Sequence, residues 1–424
     1  MSNWKEYKLG EIADITSSKR IFLADYVEKG IPFYRSKEII QKANGEKVPN
    51  PLFIETEKYF DIKERFGSPQ NGDLLISAVG ERSGIPYVVK DDGDFYFKDG
   101  NLIWFKNFSD KISSVFLYYF IRSNKGFSAI SATMIGSAQR ALTIIGLKNL
   151  KVNFPPLPTQ TAIAEILSSL DDKIELNNKI NQELENLAQT LFKQWFIDFE
   201  FPNQNGEPYK SSGGEMIDSE LGEVPKGWEV KPITDFIEVK DGTHDSPKQC
   251  EEGNYLITSK HLKNSFIDFD SAYKISNEDF VNVNKRSKVD KNDILITMIG
   301  TVGNLYYVGN EPYYAIKNIG LFKSSTSESF SIYLYEYLKS SFISEYYRVR
   351  LAGSTQQYLT LKVLRETPII YNENVVTELV DAIKEMRNTI INNSNENQEL
   401  TNLRDTLLPK LISGELEVSE VKEG

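Results

Sequence analysis

The sequence predicts an α+β chain made of two tandem copies of one unit. Each unit is a mostly β lobe followed by a long helix, and the two helices pair antiparallel as a coiled coil about a pseudo-twofold axis. Three observations predict this. Apolar residues recur through residues 158–199 at Ile163, Leu167, Leu170, Ile174, Leu184, Ala188, Leu191 and Trp195. Steps of three and four residues define an amphipathic helix with a coiled-coil seam, and at about 1.5 Å per residue it spans about 60 Å. The same text returns near the C-terminus, where Asn181-Gln-Glu-Leu-Glu-Asn-Leu187 becomes Asn397-Gln-Glu-Leu-Thr-Asn-Leu403. Finally, residues 226–371 repeat residues 1–157 in order.

Taken along the chain, residues 1–157 form the first lobe. Short apolar runs bounded by Gly, Pro and Asp read as strands at Leu74–Val79, Pro86–Val89, Phe95–Phe97 and Leu102–Phe105. A helix is predicted over Ser114–Arg122. Pro155-Pro-Leu-Pro158 closes the lobe and opens the first long helix, because proline suits the first turn of a helix and not its interior. Residues 200–225, rich in Pro, Asn, Gly and Ser, read as a linker. Residues 226–371 are the second lobe, 372–412 the second long helix and 413–424 a tail.

The duplication is carried by matched segments. Gly72-Asp-Leu-Leu-Ile-Ser-Ala-Val-Gly80 returns as Asn292-Asp-Ile-Leu-Ile-Thr-Met-Ile-Gly300. Phe116-Leu-Tyr-Tyr-Phe-Ile-Arg-Ser123 returns as Tyr333-Leu-Tyr-Glu-Tyr-Leu-Lys-Ser340. Gly136-Ser-Ala-Gln-Arg-Ala-Leu-Thr143 returns as Gly353-Ser-Thr-Gln-Gln-Tyr-Leu-Thr360. The offset drifts by a few residues, as small loop insertions would make it. The period is far too long for a solenoid. In the second long helix Leu379, Ile383, Met386, Ile390, Leu400 and Leu407 keep the seam, and Asn393 and Asn397 stand where the first helix has Asn177 and Asn181. A polar residue in a seam sets register when it meets another. The expectation is that Asn177 and Asn181 meet Asn397 and Asn393; the alternative is a solvated gap.

Net charge is −11, but it is unevenly spread. Residues 1–158 carry +4, residues 159–223 carry −9, residues 224–371 carry 0 and residues 372–424 carry −6. The acidity lies on the helices and tails, where it suits partner proteins and repels DNA phosphates. The lobes are the places left for nucleic acid. A single cysteine, Cys250, excludes an internal disulfide and fits a cytoplasmic setting. No apolar run is long enough to span a membrane and Met1-Ser-Asn-Trp4 opens no signal peptide, so no membrane association is expected. With only His244 and His261 beside that cysteine, no metal site is expected, and both histidines read as surface or loop residues.

No catalytic constellation emerges. There is no phosphate-binding G-x-x-x-x-G-K-[ST] loop. Asn153-Phe-Pro-Pro156 has the wrong order for a methyltransferase element and reads as a helix start. Asp73 and Asp293 precede apolar strands, without the following Glu-x-Lys of a nuclease. Gly80-Glu-Arg-Ser-Gly84 and Gly300-Thr-Val-Gly303 read as tight turns that can also bring backbone close to DNA. Lys285-Arg286-Ser-Lys288 reads as a solvated turn. What the lobes offer is polar and basic groups at matched positions: Ser36, Lys37, Arg82, Gln139 and Arg140 in the first, Ser259, Lys260, Thr301, Gln356 and Gln357 in the second. Arg and Gln read guanine and adenine edges, while Lys and Ser hold phosphates, so these ten are the candidate DNA contacts.

Together these features resemble the specificity subunits of type I restriction-modification enzymes, over nearly the whole chain. The Gly72-Asp-Leu-Leu-Ile-Ser77 strand, the Gly353-Ser-Thr-Gln356 loop, the Pro155-Pro-Leu-Pro-Thr-Gln160 helix start, and the helix ends Leu191-Phe-Lys-Gln-Trp-Phe-Ile-Asp-Phe199 and Leu407-Leu-Pro-Lys-Leu-Ile-Ser-Gly-Glu-Leu416 carry the likeness. Pro368-Ile-Ile-Tyr-Asn-Glu373 departs from it, lacking the double proline and the glutamine. The resemblance implies two target-recognition domains, each reading one half of an asymmetric bipartite site on double-stranded DNA. The coiled coil would fix the spacer and dock two modification (methyltransferase) subunits, with restriction subunits joining that core. S-adenosylmethionine, ATP and magnesium would then belong to the partner subunits, none to this chain, which would have no catalytic residue. The competing reading is a coiled-coil adaptor whose lobes bind proteins.

Overall fold

The computed structural model describes residues 3–136, 140–263 and 266–423. It divides into two compact units, residues 1–176 with 396–424, and residues 177–395. Each unit holds one lobe and a stem made of half of each long helix.

In the first unit the lobe is closed by its own ends, Lys5–Lys8 pairing antiparallel with Lys151–Phe154. Between them lie two four-stranded sheets. One is antiparallel in the order Asp14–Thr16, Leu102–Lys106, Leu74–Ser77, Pro86–Val88. The other runs Tyr26–Val27, Leu52–Ile54, Ile31–Tyr34, Tyr96–Phe97, and its last pair is parallel. The central strand Leu74–Ser77 is buried throughout because both of its faces are covered. Alternation sends Leu74 and Ile76 into a core with the helix Ser114–Arg122, and sends Leu75 into a second core with Trp104, Phe97 and Tyr34.

The second unit repeats this topology. Glu229–Pro232 closes on Pro368–Tyr371. The antiparallel sheet runs Val239–Asp241, Ile319–Phe322, Ile294–Thr297, Leu305–Tyr307. The other runs Gln249–Cys250, Tyr273–Ile275, Asn254–Thr258, Tyr314–Lys317, again with a parallel last pair. Ile294 and Ile296 face the core under the helix Glu328–Lys339, and Leu295 faces the other. The duplication read in the sequence is a duplication of topology.

The long helices span Leu157–Phe196 and Glu373–Ser413. In the first unit Ile163, Ala164 and Leu167 of the first share a core with Leu408, Leu411 and Ile412 of the second. In the second unit Ala188, Phe192 and Phe196 share a core with Leu379 and Ile383. The early part of each helix thus meets the late part of the other, and the pairing is antiparallel. Where the second helix lacks the prolines and glutamine of the first, Asn372 starts it, its side-chain oxygen accepting from the Val375 N–H at 3.2 Å.

In the second unit Asn393 Nδ2 donates to Asn181 Oδ1 at 2.8 Å across the helix pair. Asn177 is buried and Asn397 half-buried. Replacing all four asparagines with leucine is expected to keep the helices paired while admitting further registers. Cysteine cross-linking across the seam would then show new partner positions; an unchanged single set would remove the register role.

Candidate nucleic-acid interface

One edge of each lobe gathers most of the matched polar positions. It lies at the C-terminal end of the central strand, and a backbone carbonyl is its hub. In the first lobe Asn101 O accepts from Ser36 Oγ at 2.8 Å and from the Ala78 N–H at 2.9 Å. Ala78 O in turn accepts from the Leu142 N–H at 2.8 Å, and Val79 bridges to Ala141. The start of the helix Ser36–Ala43, the turn before Leu102, the strand end and residues 141–142 therefore converge. In the second lobe Asn318 O accepts from Ser259 Oγ at 3.2 Å, Leu359 N donates to Met298 O at 2.8 Å, and Ile299 bridges to Tyr358.

This places the candidates. Lys37, Arg82, Arg140, Lys260, Thr301, Gln356 and Gln357 are exposed on loops or helix starts at this edge. Arg140 donates to Ser131 O at 3.0 Å. Gln139 lies outside the described residues. Ser36 and Ser259 take a different part from the one the sequence suggested: their half-buried hydroxyls brace the hub carbonyl, so they build the edge and are not its exposed groups. The 353–357 loop needs its glycine. Gly353 has φ +89°, and a Cβ there would stand 2.3 Å from Gln356 O.

The glycine pairs are tight turns. Gly80 and Gly84 have φ +93°, and Ser77 Oγ donates to Arg82 O at 2.5 Å to close the turn. Thr297 Oγ1 makes the matching bond to Thr301 O.

The sequence reading missed a further loop at the same edge, residues 17–25 and their counterpart 242–248. Ser17 Oγ donates to Leu102 O at 3.1 Å, Lys19 N to Tyr96 Oη at 2.7 Å, and Arg20 pairs with Asp99 at 2.9 Å. In the second lobe Gly242 N donates to Ile319 O at 2.8 Å, and His244 Nδ1 lies 2.8 Å from Asn318 Oδ1. At the tip of the first loop Phe22 is 63% and Leu23 82% exposed, on a turn fixed by Phe22 N donating to Asp25 Oδ2 at 2.9 Å. Lys19-Arg20 beside two apolar residues was the available signal.

Two readings are corrected here. His261 is fully buried; Thr258 N donates to its Nδ1 at 3.0 Å, and burial pushes the imidazole below its ordinary range, so it is a neutral core group. Lys285 and Arg286 are not in a turn but in the last turn of the helix Asn277–Ser287, where Arg286 pairs with the buried Asp241. The remaining basic residue of that cluster, Lys288, pairs with Asp290 at 2.6 Å.

Asp73 and Asp293 are structural anchors. Asp73 accepts from Trp104 Nε1 at 2.8 Å and Gln70 N at 2.9 Å. Asp293 is fully buried, accepting from Asp290 N at 2.7 Å and pairing with Lys323. Among the described residues no cluster of His, Cys, Asp or Glu has the makings of a metal site, and no helix is long and apolar enough to cross a membrane.

Two edges of one design, each presenting loops on a rigid sheet and helix frame, define a duplicated recognition module. Residues 1–186 and 225–402 match the family described as Type I restriction modification DNA specificity domain, and the chain belongs to that family. It is 25% identical over 486 aligned positions to the type I restriction enzyme HindI specificity subunit of Haemophilus influenzae, covering 98% of this chain and all of that one. It is 28% identical to the MjaIX specificity subunit of Methanocaldococcus jannaschii, covering 82% of this chain and 79% of the relative. In fold it is similar to the type I restriction-modification S subunit of M. genitalium, with a TM-score of 0.58 and 17% identity over 96% of each chain. It is a specificity subunit of the type I class, whose matched domain is one of DNA specificity.

Proposed function

We propose that each lobe reads one half of a bipartite DNA site through the edge described above. The observation that carries this is the repetition of the edge: the same serine-to-carbonyl brace, Ser36 to Asn101 O and Ser259 to Asn318 O, and loops at corresponding places occur in both lobes, with different side chains on them. Arg82 and Arg140 stand where the second lobe has Thr301 or Val302 and Gln357, so the two half-sites differ and the whole site is asymmetric. Lys19, Lys37 and Lys260 supply phosphate contacts. Phe22 and Leu23 add an apolar contact to DNA in the first lobe only.

On this reading the paired helices set the spacer and dock two modification subunits, which bring S-adenosylmethionine and the base chemistry, and restriction subunits bring ATP and magnesium. The acidic balance of the helical segments fits contacts with proteins better than contacts with phosphate.

The test is the methylome of cells carrying the modification subunit with and without this chain. N6-methyladenine is expected only with the chain, on a split motif with a fixed gap. Replacing Arg82 and Arg140 by alanine should relax or change one half of that motif and leave the other intact. Phe22→Ala with Leu23→Ala should weaken site binding by about tenfold, with folding unchanged because both residues are exposed. A stable complex without chain-dependent methylation would favour a protein-binding adaptor instead.

A further inference from the structure

Each lobe is seated on its stem through the same helix, but the polarity of the seat is exchanged between the units. Aligning Phe116-Leu-Tyr-Tyr-Phe-Ile-Arg-Ser123 with Tyr333-Leu-Tyr-Glu-Tyr-Leu-Lys-Ser340 makes Tyr119 the counterpart of Glu336 and Arg122 that of Lys339. Aligning the long helices through Asn181 and Asn397 makes Asp171 the counterpart of Arg387.

In the first unit the stem offers a carboxylate. Tyr119 Oη donates to Asp171 Oδ2 at 2.7 Å, and Arg122 reaches the same oxygen at 3.3 Å. Arg404, from the second long helix, holds Asp171 Oδ1 at 2.7 Å. Burial and the Asp171 charge push the Tyr119 phenol up, so it remains a donor.

In the second unit the stem offers a guanidinium. Arg387 pairs with the fully buried Glu336 of the lobe, and Glu185 of the first long helix reaches Arg387 at 2.6 Å. Lys339 of the lobe pairs with Glu185. The Arg387 guanidinium also lies over the Tyr335 ring, 4.4 Å from its centroid.

We propose that this exchange keys each lobe to its own seat. The first seat accepts a lobe helix with donors at both positions; the second accepts one with a carboxylate at the first. A lobe in the wrong seat would set Glu336 against Asp171, carboxylate to carboxylate, and would leave Arg387 without its lobe partner. This is specificity by unfavourable contact, as in coiled coils that choose partners by charge. The order of the lobes along the chain then rests on a few buried groups where lobe meets stem. On the reading proposed above, so does the order of the two half-sites. A lobe from a related chain would be accepted only if its helix matches the seat.

The test is a full-length chain with residues 1–157 and 226–371 exchanged. Its melting temperature is expected to fall by about 10 °C. Adding Tyr119→Glu and Glu336→Tyr within the exchanged chain should recover at least half of that loss. An exchanged chain that melts with the native one overturns the proposal, as does a correction that changes nothing. If neither exchanged chain folds, a cycle in the native order decides. Tyr119→Glu should destabilise strongly beside Asp171 and at most half as much in an Asp171→Asn background, where the new carboxylate inherits Arg122 and Arg404. Equal losses in both backgrounds would show that burial alone sets the cost, and the key would be refuted. All these readouts are of stability, so they stand or fall independently of DNA binding.

Discussion

Arg387→Met is expected to destabilise the second unit by about 3–5 kcal/mol, the cost of leaving a buried charge without its partner. Only 5% of the Arg387 side chain is exposed, and Glu336 beneath it is fully buried. Once the guanidinium is gone, Gln189 is the side-chain donor left to the Glu336 carboxylate among the described residues. Glu185 loses its guanidinium partner, and Lys339, whose ammonium burial and Arg387 push down to about 7, remains beside it. The apolar replacement preserves much of the packing against Tyr335 and Tyr307, so the loss is electrostatic. Adding Glu336→Leu to Arg387→Met should recover most of the stability, because a buried ion pair replaced on both sides by apolar groups is often neutral or better. Urea unfolding of the full chain measures both. If the single and double variants unfold at the same midpoint, the isolated carboxylate is not what destabilises the single one.

That cluster also shows where the sequence stopped being legible. The strand Leu74–Ser77 and its counterpart Ile294–Thr297 were readable as continuous apolar runs, since strands covered on both faces need no polar side. The helix Ser114–Arg122 was readable from its apolar text and proved to have the predicted bounds. The parallel pairing of Tyr34 with Phe97 was not readable, because strands of two to four residues separated by several other strands and helices leave no local pattern. Nothing in the local sequence marks Glu336 and Arg387 as buried. Their burial depends on two helices distant in sequence meeting one lobe helix.

The candidate edge was half legible for the same reason. Matched positions found Lys37, Arg82, Lys260 and the 353–357 loop. They could not show that Ser36 and Ser259 are spent on the hub carbonyl, since hydrogen bonds to a backbone group 65 and 59 residues away leave no trace in either local sequence. Nor could they find the 17–25 loop, whose counterpart shares its place in the fold and almost none of its side chains.

Gln160→Leu is expected to cost about 3 kcal/mol, the sum of several buried polar groups left without partners. The Gln160 side chain is fully buried at the start of the first long helix. Its Oε1 accepts from the Ser113 N–H at 3.0 Å, and its Nε2 donates to Pro155 O at 2.8 Å and to Lys111 O at 3.0 Å. Three stretches of backbone are thus held by one amide: the segment before the lobe helix, that helix's capping serine, and the double proline. Ser113 in turn caps the lobe helix, its Oγ accepting from the Phe116 N–H at 3.2 Å. The bond network therefore fixes the angle at which the long helix leaves the lobe, a task that Asn372 performs in the second unit with a simpler cap. Leucine fills the same volume but satisfies none of the three groups, whereas Gln160→Glu keeps the acceptor and loses both donations. The order of stability should be wild type, then Leu, then Glu at neutral pH, because the ionised carboxylate would be buried against the Pro155 and Lys111 carbonyl oxygens, with the Glu variant regaining ground on acidification as its carboxyl becomes a donor again. Thermal melts across pH 5–8 would check this, and a Leu variant as stable as wild type would show that the backbone groups find other partners.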